Sequence, residues 1–180
     1  MRKAVLGTII TLIVLSAAFM IERSYRLNRN VPTSNAGKIL PGTLVLKDLQ
    51  TSKDVTLDRF AGKVVLINFW ASWCAACMAE MPSIQKLYEL YKDSGFVVVG
   101  VNVDENPEKV VPGIVSKLGL TFQNYTDVDG KLSETYGVVA IPYSIVTGRK
   151  LNIVWAESGE RDWASPKVVE EIKKLVEEKI

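Results

Sequence analysis

Val64-Val65-Leu66-Ile67-Asn68-Phe69-Trp70 is apolar at every position but one. A strand with one wet face alternates apolar and polar residues; this run does not, so it reads as a strand buried on both faces, in the middle of a sheet. Ala71-Ser72-Trp73-Cys74 follows at once, and then a helical stretch over residues 74–91. Ile84, Leu87, Tyr88 and Tyr91 mark its apolar face, and Ser94-Gly95 ends it. A second buried strand is predicted over residues 96–103. The chain therefore carries a strand, a tight turn, a helix and another strand in close succession.

The rest of the chain fits around that unit. Residues 43–46 and 54–57 are short β-prone stretches about a polar turn at 50–53. Residues 106–118 read as a helix with a weak start, interrupted by Pro112, and Gly119 suits its C-terminal cap. A turn at 127–130 precedes a short helix over 131–136. Two β-prone runs, 143–146 and 151–155, are joined by a hairpin at 147–150. Ser165-Pro166 opens a last helix with Val168, Val169, Ile172, Leu175 and Val176 on one face. Strands alternating with helices and closing on a hairpin and helix indicate an α/β fold with a mixed central β-sheet flanked by helices.

Ahead of this domain, residues 4–21 carry no charge and follow Arg2 and Lys3. A helix of that length rises about 27 Å, enough for a bilayer core. An uncleaved anchor is one reading. A cleaved signal peptide is another, with Ser16-Ala17-Ala18 as its processing site, and a buried core helix is a third. The apolar run continues through Phe19, Met20 and Ile21, which favours retention. The organisation expected is an anchor and flank over residues 1–30, a linker over 31–39 and one domain over 40–180. Five of the 22 Lys and Arg residues lie within residues 1–30, against one of the 20 acids. The body is therefore net acidic, which gives no support for a nucleic-acid partner.

Trp73-Cys74-Ala75-Ala76-Cys77 holds the only two cysteines, and there is no histidine. Cys-His and Ser-His-Asp nucleophilic sites are thereby excluded. A strand ending before Cys74 and a helix beginning there place its thiol at a helix N-terminus. Unpaired backbone N–H groups and the helix dipole favour a thiolate in that place. Cys77 lies one turn later and deeper, where it can attack a mixed disulfide formed at Cys74. Other readings are half of a zinc site shared with another chain, a structural disulfide, and a Cu(I)-binding metallochaperone. A structural disulfide over so short a loop stabilises little. No cofactor or resident metal is called for by the redox reading.

Asn68-Phe69-Trp70-Ala71-Ser72-Trp73-Cys74-Ala75-Ala76-Cys77 resembles the active-site strand and turn of thioredoxin-fold proteins, and most closely the membrane-anchored TlpA/ResA-like thiol-disulfide oxidoreductases. Residues 54–62, Gly100-Val101-Asn102-Val103-Asp104, Gly137-Val138, Ile141-Pro142 and residues 159–163 agree with that branch. The resemblance implies a thioredoxin fold preceded by one transmembrane helix. It implies a redox disulfide between Cys74 and Cys77, with Cys74 attacking and Cys77 resolving. Pro142 matches the family's cis-proline, which with Ile141 and Trp73 positions the substrate; the bland alternative is an ordinary trans turn proline. Pro82 matches the proline that kinks the active-site helix. Glu80 matches an acid that tunes the cysteines and assists proton transfer, the alternative being a solvated glutamate in a first helical turn. Asn68 stands where ordinary thioredoxins carry a buried aspartate, and an amide cannot exchange a proton as a carboxyl does. Trp70 is read as core and Trp73 as surface.

Tyr143-Ser144 after Pro142 departs from the family's usual Thr-Thr. Thr147-Gly148-Arg149-Lys150 replaces its usual acidic turn. Both border the presumed substrate groove. The resemblance further implies an extracytoplasmic or periplasmic catalytic domain on a single-pass cell-membrane protein, or a soluble periplasmic protein if the N-terminus is cleaved. Implied partners are protein thiols and disulfides, apocytochrome c during cytochrome c maturation among them, and a membrane-embedded thiol electron donor.

Overall fold

The computed structural model describes residues 36–178 together with Ser16. Apart from Ser16, the expected anchor over residues 4–21 lies outside the described residues, as does most of the 31–39 linker. Among the described residues no helix is long and apolar enough to cross a membrane.

Among the described residues, one mixed sheet of seven strands organises the domain. In chain order the elements are β1 (Val45–Asp48), β2 (Asp54–Thr56), β3 (Val64–Trp70), α1 (Ala75–Tyr91), β4 (Phe96–Asn102), α2 (Pro107–Leu118), β5 (Gln123–Thr126), α3 (Lys131–Tyr136), β6 (Tyr143–Thr147), β7 (Ile153–Ser158) and α4 (Pro166–Glu177). The strand order is β2-β1-β5-β4-β3-β6-β7. β3 pairs parallel with β4 on one side and antiparallel with β6 on the other. It is buried at all seven positions, as its composition predicts. Period-2 alternation divides its side chains between two cores. Val64, Leu66 and Trp70 join the cluster that α1 and α4 cover, with Met81, Ile84, Val168 and Ile172. Val65, Ile67 and Phe69 join the opposite cluster with Leu46, Tyr125 and Leu132. Asn68 shares the parity of Leu66 and Trp70 and so lies on the α1 side.

Three differences from the sequence reading have physical causes. β5, Gln-Asn-Tyr-Thr, carries no apolar run and was not expected. It forms because β4 and β1 offer it backbone partners on both sides. β7 begins at Ile153 rather than 151, because the turn after β6 extends through Asn152. Gly148 N–H donates to Asn152 O and Leu151 N–H to Gly148 O. Leu151 takes a left-handed φ of 58° and is buried, so apolar burial holds a conformation that costs a non-glycine residue energy. α2 is continuous through Pro112, with Pro107 in its first turn; the expected interruption does not occur. Gly119 ends α2 at φ +62°. Near the start of the described residues, Leu40 N–H donates to Leu151 O and Ile153 N–H to Lys38 O, so residues 38–40 lie beside β7.

Candidate active site

The site forms where β3 and β4 deliver their C-terminal ends. Trp70 is fully buried and its indole N–H donates to Asn124 Oδ1 at 3.2 Å. That is the core role expected for it. Trp70 O accepts from Val103 N–H at 2.9 Å, which ties the two strand ends together. Ser72 then donates twice to Asp104, from N–H to Oδ2 and from Oγ to Oδ1, each at 2.8 Å. Asn102 Nδ2 also donates to Asp104 Oδ2, at 2.8 Å. This clamp fixes the turn from which Trp73 and Cys74 project. Asp104 also lines a cleft of about 620 Å3, with Lys47, Asn102, Val103 and Val128.

Cys74 is the N-cap of α1, with φ −88° and ψ 101°. Its sulfur accepts the N–H of Cys77 at 3.1 Å. An N-cap oxygen normally fills that place, so the sulfur occupies the position where α1 stabilises negative charge. The two cysteines form a disulfide with a Cα–Cα distance of 5.2 Å. They are unequal: Cys74 is 8% exposed and Cys77 0%. Trp73 beside them is 70% exposed. The Ile141–Pro142 peptide bond is cis, Pro142 is buried, and Pro142 O accepts from Gly159 N–H at 2.8 Å. Ile141 is half-buried and packs against both cores, including the one that holds the cysteines.

Glu80 differs from its bland reading. It lies in the second turn of α1, not the first, and it is only 2% exposed. Asn68 Nδ2 donates to its Oε1 at 2.7 Å. Arg161 N–H and Trp163 Nε1–H donate to its Oε2, both at 3.2 Å. Burial raises the Glu80 pKa above the ordinary carboxylate range. The bonds from Asn68, Trp163 and Arg161 offset part of that rise, and the charge of Glu160 adds to it. Asn68 also donates to Ser144 Oγ at 2.9 Å, while its own Oδ1 is buried without a partner among the described residues. The structure therefore gathers Cys74, Cys77, Glu80 and Asn68 at one end of the sheet. Ser72, Asp104, Ser144 and Trp163 were not singled out from the sequence for these contacts. Residues 100–104 and 159–163 stood out only as matching segments.

A family model described as Redoxin matches residues 30–173. The chain belongs to the Redoxin family. Within it, thiol-disulfide oxidoreductase ResA of Bacillus cereus is 31% identical over 162 residues, covering 89% of this chain and 91% of the relative. The thioredoxin domain of a thiol-disulfide oxidoreductase from Bacteroides vulgatus superposes with a TM-score of 0.67 at 27% identity, covering 78% of this chain and 97% of that one. A secreted thiol-disulfide isomerase from Corynebacterium glutamicum superposes with a TM-score of 0.69 at 25% identity, covering 77% and 86%. This Redoxin-family member is thus a TlpA/ResA-like thiol-disulfide oxidoreductase of the thioredoxin superfamily. Its adjacent cysteine pair suits two-electron thiol-disulfide exchange.

Proposed function

We propose that this oxidoreductase reduces protein disulfides outside the cytoplasm, tethered to the cell membrane by residues 4–21. The observation that carries the division of labour is the unequal burial of the two cysteines at the start of α1. Cys74 is the attacking residue. Its thiolate attacks one sulfur of a substrate disulfide; that S–S bond breaks, a mixed disulfide forms, and the leaving thiolate takes up a proton. Cys77 then attacks Cys74 Sγ. The mixed disulfide breaks, the substrate leaves as a dithiol, and the Cys74–Cys77 disulfide holds the oxidising equivalents. Two electrons have passed to the substrate, and a donor dithiol must return them.

Glu80 lies three residues beyond Cys77 on the same helix, where side chains are neighbours. It accepts the Cys77 proton as that thiol becomes a nucleophile. Trp73, Ile141 and Pro142 position the substrate chain beside Cys74. The charge-free N-terminal run supports the tether, and a structural neighbour described as secreted supports the extracytoplasmic setting. Resemblance to the ResA branch supports apocytochrome c cysteines as substrate and a membrane-embedded thiol carrier as donor.

The deciding experiment is to express Cys77→Ser in the native cell and identify what is held at Cys74. Apocytochrome c in mixed disulfide supports the full reading. Other extracytoplasmic proteins in its place reject the cytochrome assignment. Tight Cu(I) binding by the reduced protein, without disulfide reductase activity, rejects the redox function in favour of metal delivery.

A further inference from the structure

Trp163 lies 83 residues from Glu80 in sequence, on the segment between β7 and α4, yet its indole N–H reaches the Glu80 carboxylate. It is 1% exposed. Phenylalanine at this place would keep a smaller ring with no donor to satisfy. The segment is held in place independently of the indole. Trp163 N–H donates to Ser83 Oγ at 3.0 Å, and Ser83 Oγ in turn donates to Glu80 O at 2.7 Å. The Arg161 guanidinium lies 5.6 Å over the Trp163 ring and pairs with Glu157 and with Glu171, the latter at 3.8 Å.

We infer that Trp163 is a positioning residue that saturates one oxygen of Glu80 and directs protonation to the other. The inference rests on the reading of Glu80 as the proton-transfer group. A carboxylate oxygen has two acceptor sites. Both sites on Oε2 are taken, by the Arg161 and Trp163 N–H groups. Among the described residues Oε1 accepts only from Asn68, so its remaining lone pair takes the proton. The groups facing Glu80 are Cys77 on its own helix, Asn68 from β3 and, from the 159–163 segment, Glu160 with the two Oε2 donors. Ser144 from β6 stands behind Asn68. Glu160 is the charge acting on Glu80 through space.

The test follows the Glu80 carboxyl carbon by NMR across pH in the full-length reduced protein, beside the alkylation rate of Cys74. Trp163→Phe keeps a ring and removes the donor. The Glu80 midpoint should rise by about one pH unit, the size expected for losing one hydrogen bond to a charged group. The alkylation profile should shift with it, and Trp163→Phe should add nothing in a Glu80→Gln background. In the wild-type protein the Trp163 indole proton resonance should move with the Glu80 midpoint. If Glu80→Gln alters the alkylation profile but Trp163→Phe moves neither quantity, Trp163 has no positioning role while Glu80 keeps its own. An alkylation profile unchanged by Glu80→Gln overturns both readings. Should Trp163→Phe not fold, a wild-type indole resonance that stays constant while Glu80 titrates rejects the inference.

Discussion

Glu80 combines a place beside the dithiol with the burial of a core residue. Its carboxyl is held above the ordinary range, so the folded protein keeps that proton to higher pH than the unfolded chain does. The associated stability is fully present below the unfolded value and is lost as pH rises through the folded one. Glu80→Gln cannot ionise and escapes this loss. In urea unfolding followed across pH, the stability of the wild type relative to Glu80→Gln should fall as pH rises from the ordinary carboxylate value through the raised one and then level off. A relative stability that climbs with pH would contradict the assignment. Asn68 gives a second prediction at this scale. Asn68→Asp replaces the amide donor to Oε1 with a second buried carboxyl. Two carboxyls at that distance cannot both ionise cheaply, so the pair should titrate in separated steps. Stability near neutral pH should drop by roughly 2–3 kcal/mol, read by chemical unfolding. The sequence identified Asn68 and Glu80 separately. Their bond was not legible, because β3 and α1 face each other only once the helix has packed on the sheet.

At the level of elements, the site depends on how β3 and β4 end. Asp104 receives three hydrogen bonds from Ser72 and Asn102. Asp104→Ala leaves Ser72 without its acceptor and should cost about 1–3 kcal/mol, measured as a lowered denaturant midpoint. Inside the sheet, Gly100 on β4 marks a close approach. A Cβ there would meet Asn124 Oδ1 at 2.5 Å and Phe122 at 3.2 Å. Asn124 Oδ1 is the acceptor for Trp70, so Gly100→Ala must displace the group that satisfies a buried indole. A loss of about 2–4 kcal/mol is expected, with altered Trp fluorescence as the accompanying sign. β3 and α3 were legible to the residue because their patterns are strong and their ends are marked. β5 was not, since its residues show no strand period and its partners supply the structure.

For the whole molecule, the central division is between the net-acidic domain and the basic, apolar N-terminus. Full-length protein should sediment with membranes and resist release by high salt and alkali, whereas a chain lacking residues 1–30 should be soluble and still reduce disulfides. Recovery of the full-length protein in the salt-soluble fraction would reject the tether. The sequence by itself determined the central strand, the helix that follows it, the paired thiols at their junction and the exclusion of histidine chemistry. Those features are local: they follow from apolar periodicity, capping and residue type within a short span. Only the tertiary structure decided that Glu80 is buried, that Asn68 and Trp163 donate to it, and that Asp104 clamps the turn before Cys74. These contacts join residues 12 to 83 positions apart. No local pattern records such pairings. They arise because packing removes polar groups from water and leaves each one needing a partner.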